Sequence, residues 1–215
     1  MEGRELIADR IARFFKDGDV VNLGFGIPVA VADHLPKGVT LWLQTENGII
    51  GQGPTPTAGD YDPDLFNSGS NPTSVVPGGS IFDTEMSFSL IRGGHLGATV
   101  LGAFQADQEG NAANWMIPGV FTPGMGGAMD LCTGCKTVII AMEHTHKGKS
   151  KILKRCTLPL TAYRQVTHIV TDLCFLEKVP EGLLLREIAP GHTVEEIVQA
   201  TEADLIIPDE IGWMA

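Results

Sequence analysis

The chain has 215 residues, 43% of them hydrophobic, and carries a formal net charge of −11. This composition is typical of a folded α/β protein with a large core, and we expect one domain over residues 1–215. The negative charge excludes a general affinity for nucleic acid or for anionic membranes, because both require a basic surface. The chain lacks an apolar run long enough to span a membrane and starts on an amphipathic pattern, so we expect a cytoplasmic protein.

In the first half of the chain, apolar periodicity predicts helices that alternate with short strands. The predicted helices cover residues 4–16, 29–35 and 80–91, and the predicted strands cover residues 20–23 and 39–44. Residues 51–71 contain several Gly and Pro residues, which indicates a long irregular loop. Loops of this length are usually functional, and this one is a candidate cover for a site.

The second half predicts more strands than helices. Strands are predicted at residues 99–104, 137–142, 166–171, 174–178 and 183–187, and a loop at residues 107–123. A closing helix follows at residues 193–200, with Thr193 as its N-cap and Glu196 in the capping-box position. The order of elements predicts an α/β fold with a single open, mainly parallel sheet, helices on both faces and a β-rich C-terminal third.

Residues 41–54 read Leu-Trp-Leu-Gln-Thr-Glu-Asn-Gly-Ile-Ile-Gly-Gln-Gly-Pro, so an apolar strand leads directly to Glu46 and a tight turn. Open α/β folds bind ligands outside the carboxyl ends of their strands, which makes Glu46 a candidate for chemistry. The spacing leaves three roles open: proton transfer, ligand anchoring and nucleophilic attack by the carboxylate.

Two glycine-rich turns are further candidates. Gly24 and Gly26 follow a predicted strand, but Pro28 removes a donor that a phosphate cradle would use, and we interpret this segment as a tight turn. Gly126 and Gly127 precede a short helical segment. They either present N–H groups to a developing oxyanion or allow close packing of the backbone, and the pattern does not separate the two.

Two other patterns suggest sites but have simpler explanations. Cys132 and Cys135 form a C-x-x-C pair without a second pair at zinc spacing, so we interpret both as structural thiols and predict no metal site. The basic run at residues 147–155 is typical of a solvated hairpin tip, although it could also receive ligand phosphates.

The segment from Gln44 to Gly51 closely resembles the active-site glutamate signature of the 3-oxoacid (family I) coenzyme A-transferases. The resemblance continues along nearly the whole chain through Arg92-Gly93-Gly94-His95, Leu101-Gly102-Ala103-Phe104-Gln105, Gly124-Met125-Gly126-Gly127-Ala128-Met129-Asp130 and Leu158-Pro159-Leu160-Thr161. Several motifs in one order make the resemblance specific. The chain is similar to the β subunit of a two-subunit enzyme of the acetate or butyrate/acetoacetate CoA-transferase type.

The resemblance implies a ping-pong exchange of coenzyme A between a short-chain acyl-CoA, such as acetoacetyl-CoA, butyryl-CoA or acetyl-CoA, and a carboxylate. Glu46 would be the nucleophile and would carry a covalent glutamyl-CoA thioester. Gly127, and with it Gly126, would supply an oxyanion donor, and Asn47 and Gln105 would be polar neighbours. The resemblance implies no cofactor apart from the coenzyme A thioester substrate, and an α-subunit partner in an α2β2 or similar hetero-oligomer.

Two other functions remain open. The same turns could hold coenzyme A or a phosphorylated ligand in a non-catalytic binding module. Alternatively, a sugar-phosphate isomerase on a related open α/β fold could use Glu46 as a proton-transfer base.

Overall fold

The computed structural model describes residues 3–57 and 59–214. Its helices are α1 (Gly3–Ala12), α2 (Thr84–Arg92), α3 (Ala128–Gly134), α4 (Val194–Ala200) and a 3-10 helix (Ile27–His34). The strands of the first half are β1 (Val20–Leu23), β2 (Trp42–Thr45), β3 (Ile49–Gln52), β4 (Val75–Ile81), β5 (Ala98–Leu101), β6 (Gln105–Asp107) and β7 (Ala112–Ala113). Those of the second half are β8 (Thr137–Ala141), β9 (Thr145–His146), β10 (Lys149–Ser150), β11 (Ile152–Leu153), β12 (His168–Val170), β13 (Cys174–Val179), β14 (Gly182–Ile188), β15 (Leu205–Ile206) and β16 (Gly212–Trp213).

Within the described residues the main sheet has 11 strands, and its centre is parallel, in the order β2-β1-β5-β8-β12. Antiparallel strands extend it on both sides: β3 and β4 beyond β2, and β13 and β14 beyond β12. This arrangement confirms the predicted mainly parallel α/β sheet and its β-rich C-terminal third. None of the helices in the described ranges has the length and apolarity needed to cross a membrane.

The hydrophobic core lies on both faces of this sheet. Successive residues of β8 belong to different clusters: Val138 and Ile140 pack with α2, α3 and α4, whereas Ile139 packs with α1. Because successive side chains of a strand point to opposite faces, the helices cover both faces, as predicted.

The antiparallel strands next to β2 were not predicted. Residues 49–52 form β3, which pairs with β2 in a hairpin, and the loop predicted at 51–71 therefore extends from residue 53 to residue 74. Ala58, inside this loop, lies outside the described residues. The helix predicted at 80–91 begins at Thr84, because Ser80 and Ile81 belong to β4 and Asp83 caps the helix by accepting from the Met86 N–H. Gly78 and Gly79 interrupt any alternating pattern in β4, so its pairing is decided by β3 rather than by local propensity.

Other predicted boundaries differ by smaller amounts. Helix α1 ends at Ala12 rather than at residue 16, and the segment predicted as a helix at 29–35 is a 3-10 helix that contains Pro28. The loop predicted at 107–123 contains the short strand β7. The predicted hairpin tip in the basic run is confirmed by the β9–β10 pair, and the capping box of Thr193 and Glu196 is present.

Candidate active site

The parallel strands β1, β2 and β5 end at one edge of the sheet, and Glu46 directly follows β2 at this edge. Glu46 is half-buried and starts the tight turn to β3, in which the Gly48 N–H donates to the Thr45 carbonyl at 3.0 Å. Gly48 has φ +116°, and a Cβ there would lie 1.9 Å from the Phe82 carbonyl oxygen. The turn therefore requires glycine both for its conformation and for its close contact with the segment before α2.

A backbone N–H contacts the Glu46 carboxylate from the opposite side of the site. Gly127, at the N-cap of α3, donates to Glu46 Oε2 at 2.8 Å. A Cβ on Gly127 would lie 2.8 Å from Oε2 and 2.9 Å from Cδ, and one on Gly126 would lie 3.4 Å from Oε2. The two glycines therefore allow the close approach of carboxylate and backbone, and the oxyanion role of the Gly127 N–H stays a prediction.

Burial raises the pKa of Glu46 above its ordinary value, and this is the largest influence on the group. The Gly127 N–H lowers the pKa because it stabilises the ionised form, whereas the nearby Asp130 carboxylate raises it. Asp130 is itself paired with Arg92, whose Nε lies 2.7 Å from Oδ1. The result is a poorly hydrated carboxylate that is held by one directed donor.

Asn47 is exposed, and its carboxamide does not bond to the Glu46 carboxylate. Its Nδ2 donates to the Phe66 carbonyl at 2.7 Å, which ties the loop of residues 53–74 to the turn that carries Glu46. The same loop contacts the segment after β1, because a Cβ on Gly69 would lie 2.3 Å from the Phe25 ring. The loop thus lies beside the candidate site, in the position expected of a cover.

Gln105 lies at the start of β6, and its carboxamide makes its hydrogen bonds to the segment at Thr157 and Leu158. Oε1 accepts from the N–H groups of Thr157 and Leu158 at 2.9 and 3.0 Å, and Nε2 donates to Thr157 Oγ1 at 2.9 Å. These bonds hold the segment after the basic run against β6. Gln105 therefore supports this segment, and its role as a polar neighbour of Glu46 stays a prediction.

The remaining sequence candidates have structural explanations. Cys132 and Cys135 are buried, and burial raises the pKa of each thiol to about 12, which disfavours the reactive thiolate. Within residues 3–57 and 59–214, no group of three His, Cys, Asp or Glu side chains could hold a metal ion. The Gly24 N–H is bonded to the Val100 carbonyl at 2.8 Å, as expected for a tight turn within the sheet.

Sequence reasoning missed Asp130 and a group of buried polar side chains below Glu46, which includes Asn22, Gln44 and Ser87. Asp130 is 84 positions from Glu46, and no local pattern links the two. Asn22 and Gln44 did carry a signal, because each is a polar residue within an otherwise apolar, buried strand.

The chain is similar to known proteins in both its sequence and its fold. The family model described as Coenzyme A transferase matches residues 4–200. The β subunit of the acetate CoA-transferase of Escherichia coli K12 is 51% identical over 204 residues, which cover 94% of this chain and 93% of that protein. One subunit of the probable succinyl-CoA:3-ketoacid coenzyme A transferase of Bacillus subtilis 168 is 44% identical over 211 residues, which cover 98% of each chain.

Among solved structures, an acyl-CoA transferase of Escherichia coli O157:H7 matches 100% of this chain with a TM-score of 0.77 and 22% identity. The matched region is 43% of that longer chain, so this similarity shows that the two share a fold. The family model and the two relatives each extend over nearly the whole sequence. The chain therefore belongs to the coenzyme A transferase family.

Proposed function

We propose that this chain is the β subunit of a short-chain acyl-CoA:carboxylate CoA-transferase and that Glu46 is its nucleophile. The observation that carries the proposal is the half-buried Glu46 carboxylate at the end of β2, with the Gly127 N–H 2.8 Å from Oε2. The E. coli and B. subtilis relatives are named for acetate and succinyl-CoA:3-ketoacid transfer, which supports small carboxylic acids as substrates. Coenzyme A thioesters are then substrates rather than resident cofactors.

The first half-reaction has two steps. The Glu46 carboxylate attacks the thioester carbonyl of the acyl-CoA, the C–S bond breaks, and an acyl-glutamyl anhydride and the CoA thiolate form. The thiolate then attacks the glutamyl carbonyl carbon, and the bond between this carbon and the bridging oxygen of the anhydride breaks. The first carboxylate leaves, and Glu46 carries coenzyme A as a thioester.

A second carboxylate then repeats these steps in the reverse direction. It attacks the glutamyl thioester and releases the thiolate, which attacks the new acyl carbonyl and regenerates the free Glu46 carboxylate. No proton is gained or lost over the cycle. The raised pKa of Glu46 is consistent with a weakly hydrated carboxylate, which is a better nucleophile than a fully hydrated one.

Gly127 is suited to one of the two oxyanions. When the thiolate attacks the glutamyl carbon, negative charge develops on a Glu46 oxygen, and the Gly127 N–H already contacts Oε2. A directed donor of this kind typically contributes about 10²- to 10³-fold in rate. The oxyanion on the acyl carbon needs a separate donor, and we propose that the α subunit supplies it and helps to exclude water from the intermediate. Both relatives are named as single subunits of their enzymes, which supports such a partner in an α2β2 or similar assembly.

Denaturing mass spectrometry of the α/β complex after addition of acetoacetyl-CoA tests this proposal. A coenzyme A adduct on the peptide that contains Glu46 is expected, with loss of both adduct and exchange in Glu46→Gln. Glu109→Gln is the matched control, since Glu109 is an exposed carboxylate paired with Arg164. Exchange retained in Glu46→Gln would overturn the proposal. Binding without any adduct would favour a non-catalytic module, and turnover of a sugar phosphate without coenzyme A would favour an isomerase.

A further inference from the structure

A connected group of polar side chains is buried next to the Thr45–Glu46 peptide. Asn22, Gln44, Ser87 and Thr99 are exposed by 1%, 2%, 0% and 0%, respectively, and belong to β1, β2, α2 and β5. Buried amides and hydroxyls are destabilising unless they are hydrogen-bonded, so an apolar core would have been simpler at these positions. The group therefore calls for an explanation beyond packing.

The hydrogen bonds of this group converge on one peptide carbonyl. The Thr45 carbonyl accepts from Gln44 Nε2 at 2.9 Å, from Ser87 Oγ at 3.2 Å and from the Gly48 N–H at 3.0 Å. This carbonyl belongs to the peptide unit whose nitrogen is that of Glu46. Because the peptide unit is planar, fixing its oxygen also fixes the direction in which the chain enters Glu46.

The donors and acceptors are consistent throughout the group. Gln44 uses one amide hydrogen for the Thr45 carbonyl and the other for Ser87 Oγ at 2.8 Å, and the single Ser87 hydroxyl hydrogen then points to the same carbonyl. Gln44 Oε1 accepts from Asn22 Nδ2 at 3.0 Å. The amide of Gln44 thus has one orientation that satisfies all of its partners, and its replacement by an acceptor-only group would break two bonds.

We propose that Gln44 and Ser87 are positioning residues for Glu46. They hold the Thr45–Glu46 peptide plane so that the carboxylate stays in contact with the Gly127 N–H. The inference rests on the proposed function, in which Glu46 is the nucleophile. Displacement of a reacting group by about 1 Å can reduce the rate by about 10²-fold, so these two side chains act on catalysis without touching the substrate.

The test uses Ser87→Ala and Gln44→Met in the α/β complex. Each variant is expected to lower kcat by about 10-fold or more, with a KM for acetoacetyl-CoA within about two-fold of the unchanged enzyme, because the binding surface is preserved. The rate of adduct formation on Glu46 should fall by the same factor. The double variant should lose less than the product of the two single losses, since both side chains hold one carbonyl.

Thr167→Val is the matched control. Thr167 Oγ1 donates to the Val138 carbonyl and accepts from the Val138 N–H, both at 2.9 Å. These bonds connect β8 to the segment before β12 and do not involve β2. This variant should lose thermal stability comparable to that of Ser87→Ala but retain its kcat. If Ser87→Ala does not assemble, Gln44→Met alone carries the test.

The outcomes separate this inference from the proposed function. Absence of any adduct in the unchanged complex would overturn both. An adduct that forms at the unchanged rate in Ser87→Ala, or in Gln44→Met where Ser87→Ala does not assemble, would overturn the positioning role alone. A fall in kcat that is matched by Thr167→Val would also overturn it, because a general loss of rigidity would then explain the result.

Discussion

At the scale of single residues, the proposed roles of Gly127 and Glu46 depend on the short distance between them. The backbone of Gly127 has φ −87°, which any residue adopts, so Gly127→Ala should not strain the chain. The new Cβ would lie 2.8 Å from Oε2 and must displace the carboxylate. We expect a loss of about 10²-fold or more in kcat, measured in the α/β complex, with little change in thermal stability.

Gly97→Ala is the control for this substitution, since a Cβ there meets only the Val20 carbonyl oxygen at 3.5 Å. It should leave kcat unchanged. Normal activity in Gly127→Ala would show that the carboxylate does not work from this position.

Burial has the largest influence on the pKa of Glu46, and the charge of Asp130 raises this pKa further, so Asp130 contributes to the acid side of the pH profile. In the proposed mechanism Glu46 must be ionised to attack, so kcat/KM should fall with decreasing pH at a midpoint above the ordinary value of 4.5. Asp130→Asn removes one of the influences that raise the pKa and leaves Arg92 without its carboxylate partner. Both changes favour the ionised form, so the midpoint should shift to lower pH.

The kcat/KM profile of the complex, measured from about pH 4 to about pH 8 so that it spans the ordinary and the raised carboxyl pKa range, provides the check. Asp9→Asn should leave the midpoint in place, because it removes a carboxylate of α1 that is paired with Arg13. A midpoint that moves to higher pH in Asp130→Asn would contradict the assignment of the acid limb to Glu46.

Glu46 and Asp130 also show which residues near the candidate site can be predicted from the sequence. The position of Glu46 after a strand was predictable, because a lone carboxylate at a strand end before Asn-Gly is a local pattern, and its role in the site stays a prediction. Asp130 and Ser87 were not predictable, because their distance from Glu46 is set by how α2 and α3 pack on the sheet. A Coulombic interaction or a buried hydrogen bond between residues far apart in the sequence produces no periodic pattern from which it could be predicted.

At the scale of elements, the β2–β3 hairpin holds the site, and Gly48 is its critical position. A Cβ at Gly48 would overlap the Phe82 carbonyl oxygen at 1.9 Å, in addition to the strain of a φ of +116°. Gly38 has φ +85° with nothing within 4 Å of its Cβ position, so Gly38→Ala isolates the backbone strain. That strain costs about 1–2 kcal/mol.

We therefore expect Gly48→Ala to lower the free energy of unfolding by more than about 3 kcal/mol, or to prevent folding, and Gly38→Ala to lower it by about 1–2 kcal/mol. Urea denaturation of the isolated chain measures both. Equal losses in the two variants would mean that the hairpin moves freely away from the segment before α2, and the site would then be less rigid than the structure indicates.

This hairpin is also where the prediction of elements was wrong. Strands β3 and β4 contain glycines at positions 51, 78 and 79, and their side chains do not alternate between apolar and polar. They form strands because β3 pairs with the free edge of β2 and β4 then pairs with β3. The cause therefore lies in the tertiary structure and not in the local sequence. The strands of the centre were located correctly because β5, β8 and β12 are mostly buried and consist mainly of apolar residues, despite Thr99 in β5 and His168 in β12.

At the scale of the whole molecule, the parallel centre of the sheet brings three segments to one edge, and apolar side chains are exposed there. Phe25, after β1, is 73% exposed, and Phe121, whose ring lies 6.2 Å from that of Phe104 after β5, is 54% exposed. The glutamyl-CoA thioester that we propose on the half-buried Glu46 is hydrolysable and would need protection from water. If the α subunit supplies that protection, it must cover this edge of the sheet.

Hydroxyl-radical footprinting of the isolated chain and of the α/β complex tests this expectation. Oxidation of Phe25 and Phe121 should fall several-fold in the complex, because both rings lose contact with water. Trp213 provides an internal control, since it is 59% exposed but lies on β16, which pairs with β14 at the far end of the sheet. Protection of Trp213 with unchanged oxidation of Phe25 and Phe121 would place the partner away from Glu46, and the second oxyanion donor would then have to come from this chain.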